Sequence, residues 1–529
     1  MRVNIQSVNP TLKGFIILTL IFIISGLTYE NFDPKEIRDY GIFPWDSGEY
    51  RLIAQSLVER GFSKLEGMYP FAPRLLFPAL YGGLANYLDT SYINSAYIVN
   101  ICSSFFVIIF TYFFLLRNSM SQTASLTVAA IYTVFWLGPL RYANVYPGGG
   151  FAFESGIVCA LFLTLQQMTK RSIFFIAFGT ILIFILAIGR ELVFYLMCLA
   201  LILAIFITIN PLKFFENQKT ILTRKQLIVL SFAFLASLIG FTVSRYLVTD
   251  TFGEYSAIYT IASFGYFHLH IGEFFYPFFY ALGPFFLAFL VTCSFKKSRN
   301  ELIQNLLQNT REHFYVFVFI FSGIIFAMVG GTDSDRFLLW FFPFFALIGS
   351  KSLEILWVNI QIHRKLIGTL FILTTALWTR FYVPAAPHLF FPGNFYNSYA
   401  GVRTNLSPDL YFGPFFLERY RLPLKEVAVD DAYHNVIIDT PPKSREQQPF
   451  VSQKINRNHD MKLDKPYNGS YRWELNNIPF PLGFAHNQFE LLVAHPHHGD
   501  KKVRLILLFQ WASLYILFFM LCKRNIRES

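Results

Sequence analysis

Apolar runs recur along most of this chain, with short polar connections between them. A helix that spans a bilayer needs ~20 predominantly apolar residues, and each run approaches that length. The first, Gly14 to Tyr29, lacks a small-residue cleavage site, so we expect a retained helix and not a removed signal peptide. The pattern predicts an all-α polytopic membrane protein with about 12 transmembrane helices. The later runs lie at about 91–117, 120–140, 150–168, 172–188, 191–209, 226–247, 271–295, 313–330, 336–350, 365–382 and 503–522.

Two of the polar connections are much longer than the others, at 30–90 and 384–502. The first contains Asp46 to Phe62, where apolar residues at helical spacing predict a helix along the membrane surface. The second starts with aromatic residues and prolines and then becomes charged, which favours an outer domain of mixed structure. We therefore predict a transmembrane region at 1–383, this outer domain, and a final transmembrane helix with a cytoplasmic tail at 503–529.

The distribution of basic residues predicts the orientation. If the N-terminus lies inside, the inner connections and tails contain 19 Lys and Arg residues, whereas the four short outer connections contain one Arg each. Basic residues concentrate on the cytoplasmic side of membrane proteins. Both termini are therefore expected to be cytoplasmic, with both long connections outside.

Composition supports a membrane protein and excludes other classes. The chain is 54% hydrophobic and only 15% charged, whereas soluble chains carry about 25% charged residues. The net charge of +11 is scattered in short clusters, with no basic stripe among stacking aromatics, which argues against nucleic-acid binding. All five cysteines lie in or beside apolar runs, so neither a disulfide framework nor a thiolate metal site is predicted.

Asp46 and Glu49 stand at the start of the predicted surface helix. Carboxylates at this position stabilise a helix through its dipole, so simple capping is one interpretation. The other interpretation is a general base held at the membrane boundary, where it can accept a proton from a hydroxyl group.

Arg74 lies between two prolines, Pro70 and Pro78, just before the sequence becomes apolar again. Its side chain could extend to lipid headgroups without any specific partner. Alternatively, its guanidinium group could bind a phosphate, for which its planar fork of N–H donors is well suited.

The order of these features resembles the GT-C superfamily of membrane glycosyltransferases. One helix is followed by a large outer loop with Asp46 near its start, then by Tyr50, Ala54, Gly61 and the stretch Pro70–Pro78. The resemblance implies a GT-C-like catalytic region at 1–383 and catalysis on the outer face. It also implies a polyprenyl-phosphate-linked sugar donor and an acidic residue of the first loop as base, a position that Asp46 matches best.

Two short outer connections carry further candidates. Gly189-Arg190-Glu191 joins two apolar runs and is either an exposed hairpin or an Arg–Glu pair that binds substrate. Asp333-Ser334-Asp335-Arg336 could bind a divalent cation or a phosphate, or form a solvated turn. We expect Arg190 and Arg336 to bind phosphate, each oriented by the adjoining carboxylate. Tyr146-Pro147-Gly148-Gly149-Gly150, followed by Glu154, is either a turn, which is the favoured interpretation, or a flexible loop that approaches a ligand closely.

Three functions compete on the sequence. A membrane glycosyltransferase would move a sugar from a polyprenyl-phosphate donor to a lipid, glycan or protein acceptor, by inverting transfer and without a cofactor. An outer-face polysaccharide polymerase or ligase would have a similar layout. A transporter would place charges near the middle of the bilayer, but here the candidates gather at one boundary. The glycosyltransferase is favoured, in a bacterial inner membrane with its active face periplasmic.

Overall fold

The computed structural model is predominantly α-helical, with a few very short strands. It describes residues 10–32, 42–43, 46–61, 65–69, 74–135, 138–145, 147–170, 173–209, 223–254, 278–279, 281–309, 313–329, 334–359, 364–379, 437–438 and 512–520, and every structural statement below concerns these residues.

Most of the helices follow one another with short connections. They are α1 (Pro10–Phe32), α2 (Asp46–Arg60), α3 (Leu76–Leu88), α4 (Tyr92–Arg117), α5 (Gln122–Val134), α6 (Pro139–Val145), α7 (Phe151–Lys170), α8 (Ile173–Gly189), α9 (Leu192–Ile209), α10 (Arg224–Leu247), α11 (Pro284–Ser294), α12 (Lys296–Asn309), α13 (His313–Val329), α14 (Ser334–Trp340), α15 (Phe342–Asn359), α16 (Arg364–Thr379) and a C-terminal helix α17 (512–520).

Four strands form two small sheets. They are β1 (Ile42–Phe43), β2 (Leu65–Tyr69), β3 (Val248–Glu254) and β4 (Ile437–Ile438). β1 pairs with β4 in antiparallel orientation, and β2 pairs with β3 in parallel orientation. The second sheet therefore connects the first long polar segment with the end of α10.

Interlocking aromatic rings form the centre of the helical bundle. Phe162 lies 5.0 Å from Phe344 between ring centroids, and Phe319 lies 4.9 Å from the same ring. The outer faces of the helices are apolar and exposed instead, as at Leu20 and Ile24 of α1, which are 53% and 60% exposed. An apolar surface of this extent requires lipid contact.

Several helices have the length and composition needed to cross a membrane. Among the described residues these are Thr11–Tyr29, Tyr92–Arg117, Gln122–Asn144, Pro147–Lys170 and Arg224–Leu247. The predicted multi-pass, helical membrane protein is confirmed, and the number of spans remains a prediction. A helix is also found at the predicted position after Asp46, as α2, and its place along the membrane surface stays a prediction.

Two predicted boundaries are wrong. The run 336–350 is not one helix, because the chain breaks at Phe341 between α14 and α15, and α15 continues to Asn359. Lys351, predicted in a polar connection, is buried inside α15, where its ammonium group donates to Asn305 Oδ1 over 3.3 Å. The polar connection 296–312 contains a regular helix, α12, which supplies that partner.

Other predictions fall on residues outside the described set. The outer domain at 384–502 is described only at Ile437–Ile438, so its predicted fold stays a prediction. The division of the chain into three regions likewise stays a prediction.

Candidate active site

A cluster of polar side chains lies where several helices of the bundle end. Tyr50 comes from α2, Arg74 precedes α3, Glu154 lies in the first turn of α7, and Arg190 and Glu191 connect α8 to α9. The chain positions of these residues span 50–191, but tertiary contacts bring them together. We name these five residues the arginine cluster.

Arg74 and Glu191 form a two-pronged ion pair. Arg74 Nε donates to both carboxylate oxygens of Glu191, over 2.8 and 3.1 Å, and Nη2 donates to Oε1 over 2.5 Å. The side chains are 13% and 16% exposed. Parallel donation of this kind fixes the plane of the guanidinium group as well as its position.

Arg190 pairs with a different carboxylate. Its Nη1 lies 2.9 Å from Glu154 Oε1, and both side chains are 9% exposed. The prediction that Glu191 orients Arg190 through a direct contact is therefore wrong. Arg190 ends the last turn of α8 and Glu191 starts the next turn, so the two side chains leave the backbone in different directions.

Tyr50 joins the two ion pairs. Its hydroxyl oxygen accepts a hydrogen bond from Arg74 Nη1 and another from Arg190 Nη1, each 3.0 Å long. The residue is only 2% exposed, and its ring packs edge-on against Phe77 at 6.1 Å. The two arginines are consequently held side by side on one oxygen atom.

Small residues allow the helices to approach closely enough for these contacts. A Cβ atom on Gly189 would collide with the side chain of Leu76, two residues after Arg74. The backbone N–H of Leu75 also donates to Ile188 O over 3.4 Å. This close crossing of α3 and α8 places Arg74 beside Glu191.

Asn100 positions Glu154 from the interior of α4. Its Nδ2 donates to Pro147 O over 2.6 Å, and its Oδ1 accepts from the backbone N–H of Phe153 over 3.2 Å. The second bond satisfies an amide at the start of α7, which has no partner within its own helix. The turn predicted before Glu154 is present, and its function is to deliver that carboxylate to Arg190.

The electrostatics of the cluster keep Arg74 and Glu191 ionised. Burial alone would raise the pKa of the Glu191 carboxyl, but Arg74 and Arg190 outweigh burial and lower that pKa to about 2. The pKa of Arg74 is raised, because attraction to Glu191 and Tyr50 exceeds the opposing effect of burial. Two arginines and two carboxylates balance in formal charge, which offsets part of the cost of taking these groups out of water.

One side of Arg190 faces an aromatic ring. Its Cζ lies 5.3 Å from the Trp340 ring centroid, and Trp340 is 1% exposed. The indole Nε1 has no hydrogen-bond partner among the described residues. Among the described residues, the hydrogen bond of Arg190 to Tyr50 and its ion pair with Glu154 both involve Nη1. The Nε and Nη2 atoms of Arg190 are therefore further donors.

The other predicted site residues are described less fully. α2 begins at Asp46, four residues and therefore about 6 Å along the axis before Tyr50. The side chains of Asp46, Glu49, Asp335 and Arg336, and the whole of Asp333, lie outside the described residues.

Within the described residues, no group of three His, Cys, Asp or Glu residues could hold a metal ion.

Two cluster members were not predicted as site residues. Tyr50 was named only as one of the residues that carry the resemblance to the GT-C superfamily. Its position one helical turn after Asp46 could have identified it as a site residue, because it places both residues on the same face of the helix. Glu154 was assigned to a turn, because nothing in its local sequence indicates a partner 36 residues further on.

The chain is similar to solved oligosaccharyltransferase structures. One is the apo form of the Archaeoglobus fulgidus oligosaccharyltransferase, with 12% identity and a TM-score of 0.43. Another is the oligosaccharyltransferase AglB from Archaeoglobus fulgidus, in complex with an inhibitory peptide and a dolichol-phosphate, with 11% identity and a TM-score of 0.41. Each similarity covers 78% of this chain and 60% of the archaeal chain.

Neither a family model nor a curated protein matches the sequence. The proposal below is accordingly argued from the residues of this chain.

Proposed function

We propose that this protein is a membrane glycosyltransferase that moves a sugar from a polyprenyl-phosphate donor to a lipid, glycan or protein acceptor. The observation that carries the proposal is the convergence of three separate segments at one end of the bundle. The segment before α3 with Arg74 and the α8–α9 connection with Arg190 both donate to the hydroxyl group of Tyr50, which α2 carries one helical turn after Asp46.

The arginines suit the phosphate of the donor. Arg190 has donors beyond Nη1 that a phosphate oxygen could accept from, and the Trp340 indole N–H could add another. A guanidinium group already held by Glu154 and Tyr50 loses little conformational freedom when it binds a ligand. We assign Arg190 to direct phosphate contact and Arg74, which bonds Glu191 and Tyr50, to positioning.

The reaction is an inverting displacement at the anomeric carbon. Asp46 accepts the proton of the acceptor hydroxyl as its oxygen forms a bond to the anomeric carbon. The bond from that carbon to the phosphate oxygen breaks, and the polyprenyl phosphate leaves with the electron pair. Because the departing phosphate is a stable anion, the site needs no strong general acid.

Replacement of the proposed base tests the reaction. Asp46→Asn removes the proton acceptor but keeps the side-chain size, so transfer should fall by about 10²–10⁴-fold. Glu59→Gln removes a carboxylate from the exposed, distal end of the same helix and should leave transfer unchanged. Expression of both variants should match the parent. Normal transfer by Asp46→Asn would contradict the proposed role and favour helix capping.

The donor site is tested by titrating a polyprenyl-phosphate sugar against arginine variants in nanodiscs. Arg190→Ala should raise the donor KM strongly, and Arg190→Lys should recover only part of the loss, since lysine lacks the fork of donors. Arg245→Lys, at a residue that stacks on Phe241 over 3.5 Å, is the matched control. Arg336→Ala and Arg336→Lys test the other predicted phosphate ligand. If the Arg190 variants behave like the parent, phosphate is not bound there.

Mass spectrometry of the products distinguishes this activity from its alternatives. Transfer of one sugar to each acceptor molecule would support the proposal. Addition of repeat units would indicate a polymerase, and an acceptor without any added sugar would indicate a transporter.

A further inference from the structure

A cavity of about 590 Å³ lies between α11, α12, α15, α16 and α17. Hydrocarbon side chains form most of its wall; examples are Leu287, Val291, Leu356, Phe371 and Phe518. The volume is within the range of protein sites that bind small molecules, about 300–1,000 Å³. The cavity therefore has the size and the wall of a site for one small molecule with a large apolar part.

The cavity lies away from the arginine cluster. α15 begins two residues after Trp340, which contacts Arg190. The cavity-lining residues of α15, Leu353 to Val358, come 11 to 16 residues after its start, which is about 17–24 Å along the helix axis. The cavity is therefore separate from the proposed active site.

One edge of the cavity is acidic. Glu301 and Asn305 of α12 and Glu354 of α15 line it, and none of the described residues that line it is Lys or Arg. Glu301 and Asn305 are four positions apart, so they lie on one stripe of α12. Both charged groups of the cavity wall are consequently carboxylates.

Lys351 connects the two helices at this edge without lining the cavity. The residue is only 1% exposed, and its ammonium group donates to Asn305 Oδ1 over 3.3 Å. Glu354 follows on the same face of α15, one turn later. Among the described residues, the Glu354 carboxylate experiences the attraction of Lys351 but forms no hydrogen bond or ion pair. Its oxygens are therefore available as acceptors at the cavity edge.

We propose that the cavity binds a single-chain apolar amine, with its hydrocarbon part in the cavity and its ammonium group at Glu301 and Glu354. A cavity with an apolar wall stays dry, so its natural content is itself apolar. The attraction between an ammonium group and a carboxylate is stronger beside such a wall than in water. The volume suits one small molecule better than a two-chain lipid. This ligand is distinct from the sugar donor, and the site does not depend on the proposed transfer reaction.

Three ligands with the same chain test the preference for an amine. Octylamine, octanol and octanoate differ only in their polar group, and native mass spectrometry measures their binding to the protein in phosphatidylcholine nanodiscs. Octylamine should bind about tenfold more tightly than octanol, because hydrogen bonds to charged groups are the stronger ones. Octanoate should bind least. Equal affinities for octylamine and octanol would overturn the proposal.

Removal of each carboxylate tests which residues hold the ammonium group. Glu301→Gln and Glu354→Gln keep the side-chain shape but lose the charge, so each should weaken octylamine binding several-fold and leave octanol binding unchanged. Glu59→Gln, at an exposed carboxylate of α2, is the matched control and should bind octylamine like the parent. If both cavity variants keep the parental preference for the amine, the carboxylates do not bind it and the proposal is wrong.

Fluorescence tests the position of the chain. Trp357 lines the cavity, so octylamine with a bromine atom at the far end of its chain should quench part of the tryptophan emission. Trp357→Phe should remove that part, and Glu354→Gln should require a several-fold higher concentration for the same quenching. Quenching that is unchanged in Trp357→Phe would place the chain elsewhere and contradict the proposal.

Phospholipids with ethanolamine headgroups also carry an ammonium group, and a change of membrane composition separates them from a single-chain amine. Octylamine should bind equally well in nanodiscs of phosphatidylcholine alone and in nanodiscs that contain phosphatidylethanolamine in equal proportion. A large loss of octylamine binding in the mixed nanodiscs would assign the cavity to a membrane lipid and overturn the proposal.

Discussion

At the residue scale, Tyr50 holds the arginine cluster together. Its hydroxyl oxygen receives a hydrogen bond from each of two arginines, while its ring packs in a separate apolar group with Phe77 and Tyr81. One side chain thus serves both as polar acceptor and as part of the core. Removal of the hydroxyl alone separates these two contributions.

Tyr50→Phe should retain the ring packing but leave two arginine N–H groups without their acceptor. Such losses cost about 1–3 kcal/mol each, so we expect a lower melting temperature and a fall in transfer of at least tenfold. Tyr81→Phe, whose ring packs 4.9 Å from the same Phe77, is the control and should keep transfer near the parent rate. A parental rate in Tyr50→Phe would show that the arginines are positioned without it.

The ionisation of Glu191 predicts how the cluster responds to pH. Its pKa is lowered from 4.5 to about 2, so its pairing stabilises the fold fully above pH 4.5 and loses this effect as the pH falls towards 2. The melting-temperature difference between the parent and Glu191→Gln should therefore be constant from pH 5 to pH 9 and shrink below pH 4.5. A difference that changed between pH 5 and 9 would contradict the assignment.

At the element scale, close helix crossings decide which side chains meet. Helix positions follow directly from hydropathy: the predicted runs 91–117 and 226–247 appear as Tyr92–Arg117 and Arg224–Leu247. The contact of α3 with α8 could not be predicted, because it depends on Gly189 having no side chain opposite Leu76. A glycine inside an apolar run gives no signal of the partner it accommodates.

Gly189→Ala should push α3 away from α8 and separate Arg74 from Glu191. Overpacking of this kind costs about 1–3 kcal/mol, so the melting temperature and the transfer rate should both fall. Gly83→Ala on α3, where an added Cβ meets nothing within 4 Å, should leave the rate unchanged. Equal behaviour of the two variants would show that the crossing tolerates a methyl group.

At the scale of the whole molecule, the protein has two polar ends with different chemistry. The arginine cluster occupies one end of the bundle, and α12, whose first turn carries Lys296, Lys297 and Arg299, lies away from it. The charge asymmetry of 19 inner and four outer basic residues predicts that the first end lies outside.

The predicted orientation is tested by labelling introduced cysteines in a background without native cysteine. Lys64→Cys and Phe450→Cys should react with an impermeant thiol reagent on intact cells, because both positions are predicted outside. Lys219→Cys, in a predicted inner connection, should react only after the cells are opened. Protection of position 64 or 450 on intact cells would reverse the orientation.

The sequence alone determined the membrane class, most helix positions and the polar residues worth testing, because hydropathy and charge distribution act locally along the chain. Only the tertiary structure decided how those residues pair. Arg74 bonds Glu191 across 117 positions, and Arg190 contacts Glu154 while its neighbour in sequence faces Arg74. Such pairing depends on which helices cross and which way each side chain leaves its backbone, and no local pattern encodes either.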